Sequence, residues 1–80
     1  MKPWKDEIVD ALSALGGEAS LSDIYDQVAV QRSQLTPSWK ATVRNIIECH
    51  SSDSNNYEHH RDDLFYSVNG LGEGDWGLRR

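Results

Sequence analysis

One stretch of the sequence has the composition needed to bind a polyanion. Between Gln27 and Ile47 there is no acidic residue, whereas Arg32, Lys40 and Arg44 supply three positive charges. The other 59 residues carry five basic and thirteen acidic side chains, a net charge of −8. Such asymmetry can orient a protein on a polyanion even when the overall charge of −5 is unfavourable. The alternative interpretation is a chance clustering of three charges.

The pair Thr36-Pro37 predicts the start of the helix that contains Lys40 and Arg44. Threonine is a good N-cap and proline suits the first helical position, and apolar residues then recur at helical spacing as far as about His50. The free N–H groups at the start of such a helix can bind a phosphate. The candidate DNA contacts on this helix are Thr36, Ser38, Lys40, Ala41, Arg44 and Asn45.

These residue types suit the major groove of double-stranded DNA, which is wide enough to admit a helix. Asn45 could make two hydrogen bonds to adenine, and Ala41 could contact the methyl group of thymine or of a modified base. Lys40 and Arg44 would bind phosphates, or Arg44 a guanine. The alternative is the solvated outer face of an ordinary amphipathic helix.

Ser51 and Ser52 follow directly after this helix in the run Ser-Ser-Asp-Ser. Their hydroxyls and backbone amides could hold a DNA phosphate. Asp53 would oppose this role unless it caps the turn. The alternative, which we favour, is that these residues satisfy the backbone of their own loop.

The sequence favours neither a metal site nor a catalytic site. His59, His60, Asp62 and Asp63 place four potential ligands in five residues, but this spacing matches no common zinc pattern. Cys49 lies near a predicted helix C-terminus, where the helix dipole disfavours a thiolate. We therefore predict no metal, no cofactor and no enzyme activity.

The elements that position these residues can be read from periodicity and from turn residues. Helical spacing predicts a first helix ended by Gly16-Gly17, and Ser20 with Asp23 resembles a capping box at the start of a second. Trp4, Trp39 and Trp76 are predicted core residues, and His50 is predicted to pack on an apolar face. The predicted elements are helices at about 3–15, 21–30 and 37–50, a short strand at 18–20, a polar loop at 51–63, and strands at 64–68 and 76–78 around a glycine-rich turn.

This order predicts an α+β winged-helix fold in one domain that covers residues 1–80. The second and third helices would form a helix-turn-helix, and the two C-terminal strands would form a hairpin, the wing. Because a lone hairpin is not stable in water, it must pack on the helices and pair with the short strand after the first helix. Asn69, Gly70 and Gly72 in the wing are candidate contacts to the DNA backbone.

Several segments resemble small winged helix-turn-helix modules fused to modification-dependent restriction endonucleases. They are Gly16-Gly17-Glu18-Ala19-Ser20-Leu21-Ser22-Asp23-Ile24-Tyr25, Trp39-Lys40-Ala41-Thr42-Val43-Arg44, His50-Ser51-Ser52-Asp53-Ser54, Asp63-Leu64-Phe65-Tyr66-Ser67-Val68 and Gly74-Asp75-Trp76-Gly77-Leu78-Arg79. The resemblance implies double-stranded DNA as the partner. It also implies the reading of modified bases beside a fused or associated nuclease domain, although this chain has no nuclease motif.

A second function stays open at this point, a winged-helix adaptor that binds proteins and has little affinity for DNA. Its support is the net charge of −5 and the acidic residues Glu73 and Asp75 in the wing. For location, we expect a cytoplasmic protein without a membrane partner. A single cysteine allows no internal disulfide, no signal-peptide core is evident, and no stretch approaches the ~18 apolar residues of a membrane span.

Overall fold

Three helices and three strands follow one another in the predicted order. The computed structural model describes residues 3–32, 35–55, 57–58, 61–68 and 74–79. The elements are α1 (Trp4–Ala14), β1 (Glu18–Ser20), α2 (Leu21–Gln31), α3 (Trp39–Cys49), β2 (Phe65–Ser67) and β3 (Asp75–Leu78). No helix in these parts of the chain combines the length and the apolar character needed to cross a bilayer.

The end of α1 is determined by two glycines, as predicted. Gly16 and Gly17 have φ values of 92° and 98°, which glycine adopts without steric cost. The Gly17 N–H donates to the Leu12 carbonyl at 2.8 Å and the Gly16 N–H to the Ser13 carbonyl at 3.2 Å. This pair of bonds is a Schellman motif, which stops the helix and turns the chain toward β1.

The start of α2 also follows the prediction. The Ser20 side chain accepts a hydrogen bond from the Asp23 N–H at 3.2 Å, so one of the unpaired helical donors is satisfied. Because Ser20 is also the last residue of β1, the strand leads directly into the helix.

The start of α3 differs from the prediction. The helix begins at Trp39, with Ser38 rather than Thr36 at the cap position. The Trp39 N–H donates to the Thr36 carbonyl at 3.1 Å, which closes a turn before the helix. Ser38 has φ −105° and ψ 22°, outside regular helical geometry, so Thr36 and Pro37 belong to the turn.

The three strands form one antiparallel sheet in the order β1-β3-β2. Ala19 pairs with Trp76, and Tyr66 pairs with Gly77, so the hairpin strand β3 lies in the centre and takes β1 on its other side. This is a winged-helix-like α+β topology, as the sequence predicts. The buried core joins the helices to the sheet through Ile8, Ala11, Leu12, Ile24, Val28, Val43, Ile47, Phe65 and Trp76. The other two tryptophans, Trp4 and Trp39, are partly buried and pack against this core.

Gly77 lets an aromatic ring cross the central strand. A Cβ at this position would lie 2.6 to 2.9 Å from ring and hydroxyl atoms of Tyr66. The Tyr66 hydroxyl donates a hydrogen bond to Glu18 on β1, so one side chain ties the two outer strands together. This bond to the carboxylate, together with desolvation, raises the pKa of Tyr66 above its usual value.

Candidate nucleic-acid interface

The exposed side of α3 is formed by Ser38, Lys40, Ala41, Arg44 and Asn45, which we call the outer face of α3. On the opposite side, Val43 and Ile47 are fully buried in the hydrophobic core. Burial of that apolar side determines which side chains point outward, so the predicted set is brought together on one surface. Thr36 is also exposed, in the turn that precedes the helix.

Within the described part of the chain, the N-terminus of α3 has amides without a partner and no acidic residue in its first turn. The first hydrogen bond within the helix runs from the Thr42 N–H to the Ser38 carbonyl at 3.1 Å. The described residues provide no side-chain cap, and the first turn has no acidic residue. No described residue accepts a hydrogen bond from the amides of Lys40 and Ala41, so these N–H groups can receive an anion.

Lys40 lies in a corner between two aromatic rings. Its Nζ is 5.6 Å from the ring centroid of Tyr25 on α2 and 5.7 Å from that of Trp39. Among the described residues no carboxylate forms an ion pair with it, and the residue is exposed. Tyr25 is not among the residues predicted for the interface, since its helical spacing marks it only as part of the apolar stripe of α2.

Arg44 is exposed but does not present a free charge. Its side chain is 64% exposed, and its Nε lies 3.2 Å from Glu48 Oε2 one turn later. Next to it, the Asn45 amide oxygen accepts a weak hydrogen bond from the Cys49 thiol at 3.8 Å. Both side chains would have to exchange these partners for DNA groups.

Arg32 is mostly buried and does not lie on the outer face of α3. Its guanidinium lies 3.6 Å from Glu7, and only 12% and 8% of the two side chains are exposed. The same group stacks 4.1 Å from the Trp4 ring centroid, and the Gln31 amide donates to Glu7 at 2.8 Å. We call Trp4, Glu7, Gln31 and Arg32 the internal charge cluster. The acid-free stretch therefore supplies two cations to the surface rather than three.

Ser51 and Ser52 are engaged in the structure of their own loop. Ser51 is fully buried, and its hydroxyl finds no partner among the residues described, so it cannot reach a DNA phosphate in this conformation. The Ser52 N–H and hydroxyl both donate to the Asp63 carboxylate, at 2.9 and 2.7 Å. Ser52 therefore supports the loop through the Asp63 side chain, whereas the Ser51 hydroxyl satisfies no backbone group among the described residues.

Asp63 belongs to a larger group that ties this loop to the hairpin, which we call the clasp: Ser52, Asp53, Asp63, Ser67 and Arg79. Arg79 forms ion pairs with Asp63 at 3.2 Å and with Asp53 at 3.3 Å, and Asp53 also accepts from the Ser67 N–H. Desolvation acts to raise the pKa of Asp63, but the hydrogen bonds from Ser52 and the charge of Arg79 outweigh it and hold the pKa below its usual value.

The predicted wing contacts Asn69, Gly70 and Gly72 lie outside the described residues. On either side of them, the Val68 N–H donates to the Asp75 carbonyl at 3.1 Å. The Gly74 carbonyl accepts from the Leu21 N–H at 2.7 Å, which ties the hairpin to the start of α2.

His50 is a packed histidine, as predicted. The residue is 4% exposed, and its Nδ1 lies 2.8 Å from the Ile46 carbonyl oxygen. The residues described contain no group of three or more His, Cys, Asp or Glu side chains that could hold a metal ion, and His59 and His60 are not among them. At Cys49, desolvation and then Glu58 raise the thiol pKa, which disfavours the thiolate.

No protein-family model, curated protein or solved structure matches this chain.

Proposed function

We propose that this domain binds double-stranded DNA by placing the outer face of α3 in the major groove. The observation that carries the proposal is the exposed, acid-free N-terminal half of α3, whose N-terminus receives no side-chain cap from any described residue. An uncapped N-terminus attracts phosphate, and a narrow helix face with short side chains can approach base edges closely. Support also comes from the winged-helix-like fold, although a fold alone does not assign a function.

The proposed contacts divide into positioning and reading. Lys40, Arg44 and the amides at the helix start would bind phosphates, which position the helix. Ser38, Ala41 and Asn45 would meet base edges, and the Ala41 methyl group leaves room for a base that carries an added methyl group. We include the reading of modified bases in the proposal for two reasons: the small side chain of Ala41, and the resemblance of the sequence to modules of modification-dependent endonucleases.

Because α3 presents two cations, Lys40 and Arg44, we expect its binding to DNA to be weak and only moderately sensitive to salt. Neutralising two phosphates gives a slope of roughly −1.8 in a plot of log affinity against log salt. Such a module would act best when tethered to a second DNA-binding or nuclease part, because tethering raises its effective concentration on the DNA.

The test is a titration of the amide NMR spectrum with short duplexes, unmodified and base-modified, at low and moderate salt. We expect shifts concentrated on residues 38–45, a difference between duplexes if modification is read, and a salt slope reduced by about 1 in Lys40→Ala. Arg44→Glu should weaken binding at least as much, because it places a like charge against phosphate.

Matched controls exist in the same chain. Lys5→Ala removes a cation from α1. Arg61→Glu reverses the charge of an arginine that, like Arg44, forms an ion pair with a glutamate a few residues away in the sequence. Both controls should bind DNA nearly as the parent does. Equal losses in the controls and in the α3 variants would mean that only net charge matters, and would contradict a specific interface.

A second candidate is a protein-binding adaptor. The observation that favours it is Val30 on α2, whose exposure of 82% is high for a large apolar residue. In that case the spectrum would not respond to either duplex even at low salt, and Val30→Ser would weaken capture of a protein partner.

A further inference from the structure

The corner that holds Lys40 is built by two helices. Tyr25 on α2 and Trp39 on α3 meet edge to face, with ring centroids 5.7 Å apart and planes at 81°. The Lys40 ammonium lies within 6 Å of both centroids. At this range the negative face of an aromatic ring attracts a cation.

Two rings restrain a side chain that would otherwise move freely. A lysine has four carbons between its backbone and its charge, and ordering that chain on binding costs conformational entropy. An ammonium carries three N–H donors, so the rings can attract it from one side while the other side remains open to solvent. The position of the charge at the start of α3 is therefore determined partly by a residue on α2.

We propose that Tyr25 is a positioning residue for DNA binding, which holds the Lys40 ammonium where a phosphate at the N-terminus of α3 can accept from it. This inference rests on the proposed function. Tyr25 itself would make no contact with DNA, and it would act only through Lys40. The gain in affinity comes from pre-organisation, because the lysine side chain is already ordered before the DNA binds.

The experiment is a double-mutant cycle of Tyr25→Leu and Lys40→Ala, with affinity for a short duplex as the readout. A cation–aromatic contact at an exposed site predicts a two- to fivefold loss for Tyr25→Leu. Tyr25→Phe keeps the ring and should bind within a factor of about two of the parent. In the Lys40→Ala background, Tyr25→Leu should cause no further loss.

A second measurement needs no variant and no DNA. The Hε resonances of Lys40 in the free protein should be shifted upfield by the two ring currents, relative to those of Lys5. Resonances at the usual lysine position would overturn the inference, because the ammonium would then not be held in the corner.

The outcomes separate this inference from the proposed function. An equal loss for Tyr25→Leu with and without Lys40 would mean that Tyr25 acts through the fold, and tighter binding would mean that the rings withhold the lysine from DNA. Either result overturns the inference while DNA binding stands. A parent protein that binds no duplex overturns the proposed function and the inference with it.

Discussion

Arg32 and Arg44 come from the same acid-free stretch of sequence but occupy opposite environments. Arg32 is almost fully buried in the internal charge cluster, between the Glu7 carboxylate and the Trp4 ring. Arg44 stands on the outer face of α3 with 64% of its side chain exposed, and its only described ion pair is the local one with Glu48. The first arginine joins α1 to α2, whereas the second can be offered to a ligand.

The comparison shows that charge along a sequence and charge on a surface are different quantities. Each cation of the stretch counts equally in the net charge, but a cation neutralised inside the molecule contributes little to the field outside. Removing an inward cation should therefore reduce stability, and removing an outward cation should reduce binding. The following substitutions test that division.

The largest effect is expected from Arg32→Met. Loss of the guanidinium leaves the buried Glu7 carboxylate with Gln31 but without its cation, and breaking such a pair costs about 3 kcal/mol in the free energy of unfolding. Urea denaturation followed by tryptophan fluorescence measures this loss. DNA affinity per folded molecule should stay unchanged.

The matched control for that prediction is the double variant Glu7→Leu with Arg32→Met. It removes both charges and should recover most of the lost stability, since an apolar pair can replace a buried ion pair at little cost. If Arg32→Met proved as stable as the parent but bound DNA weakly, Arg32 would belong to the interface and the comparison would fail.

An intermediate effect is expected in the clasp, where Arg79 is structural like Arg32 but more exposed. Asp63→Asn should lower the free energy of unfolding by about 1 kcal/mol at pH 7, because it weakens the bonds from Ser52 and the ion pair with Arg79. The pKa of Asp63 is depressed in the folded state, so its contribution is present above the unfolded-state pKa of about 4 and is lost as pH falls through the lower folded value.

The measurement is a series of urea denaturations of parent and Asp63→Asn from pH 7 down to pH 2.5. The difference between the two proteins should shrink below about pH 4. A difference that stays constant over the whole range would show that the carboxylate charge contributes nothing and that only the shape of the side chain matters.

The smallest effect is expected from Glu48→Gln. Exposed pairs one helical turn apart are worth about 0.3–0.5 kcal/mol, so releasing Arg44 from Glu48 should tighten DNA binding roughly twofold. Fluorescence anisotropy with a labelled duplex is sensitive enough to detect this change. The control is Glu58→Gln, which releases Arg61 in the same way. An equal gain in DNA affinity in this variant would mean that the effect comes from the change in net charge alone.

Local signals predicted most of the fold. The double glycine after α1 and the Ser20 cap before α2 each act through backbone groups a few residues away, so their effect can be read from the sequence. Thr36-Pro37 was a less reliable signal, because the same pair can also form a turn that precedes the helix. The predicted cap Thr36 and first helical residue Pro37 each lie two residues too early for this reason.

The sequence by itself determined the order of the elements and the apolar side of α3, since these follow from periodicity and turn chemistry. It also determined that the hairpin pairs with β1, because a lone hairpin is not stable in water. Only the tertiary structure decided that Arg32 faces Glu7, that Ser51 is buried, and that Tyr25 meets Lys40. Each of these features depends on how separate segments of the chain pack against one another. Spacing within one helix determines which way a side chain points, but the partner it finds there is supplied by another part of the chain.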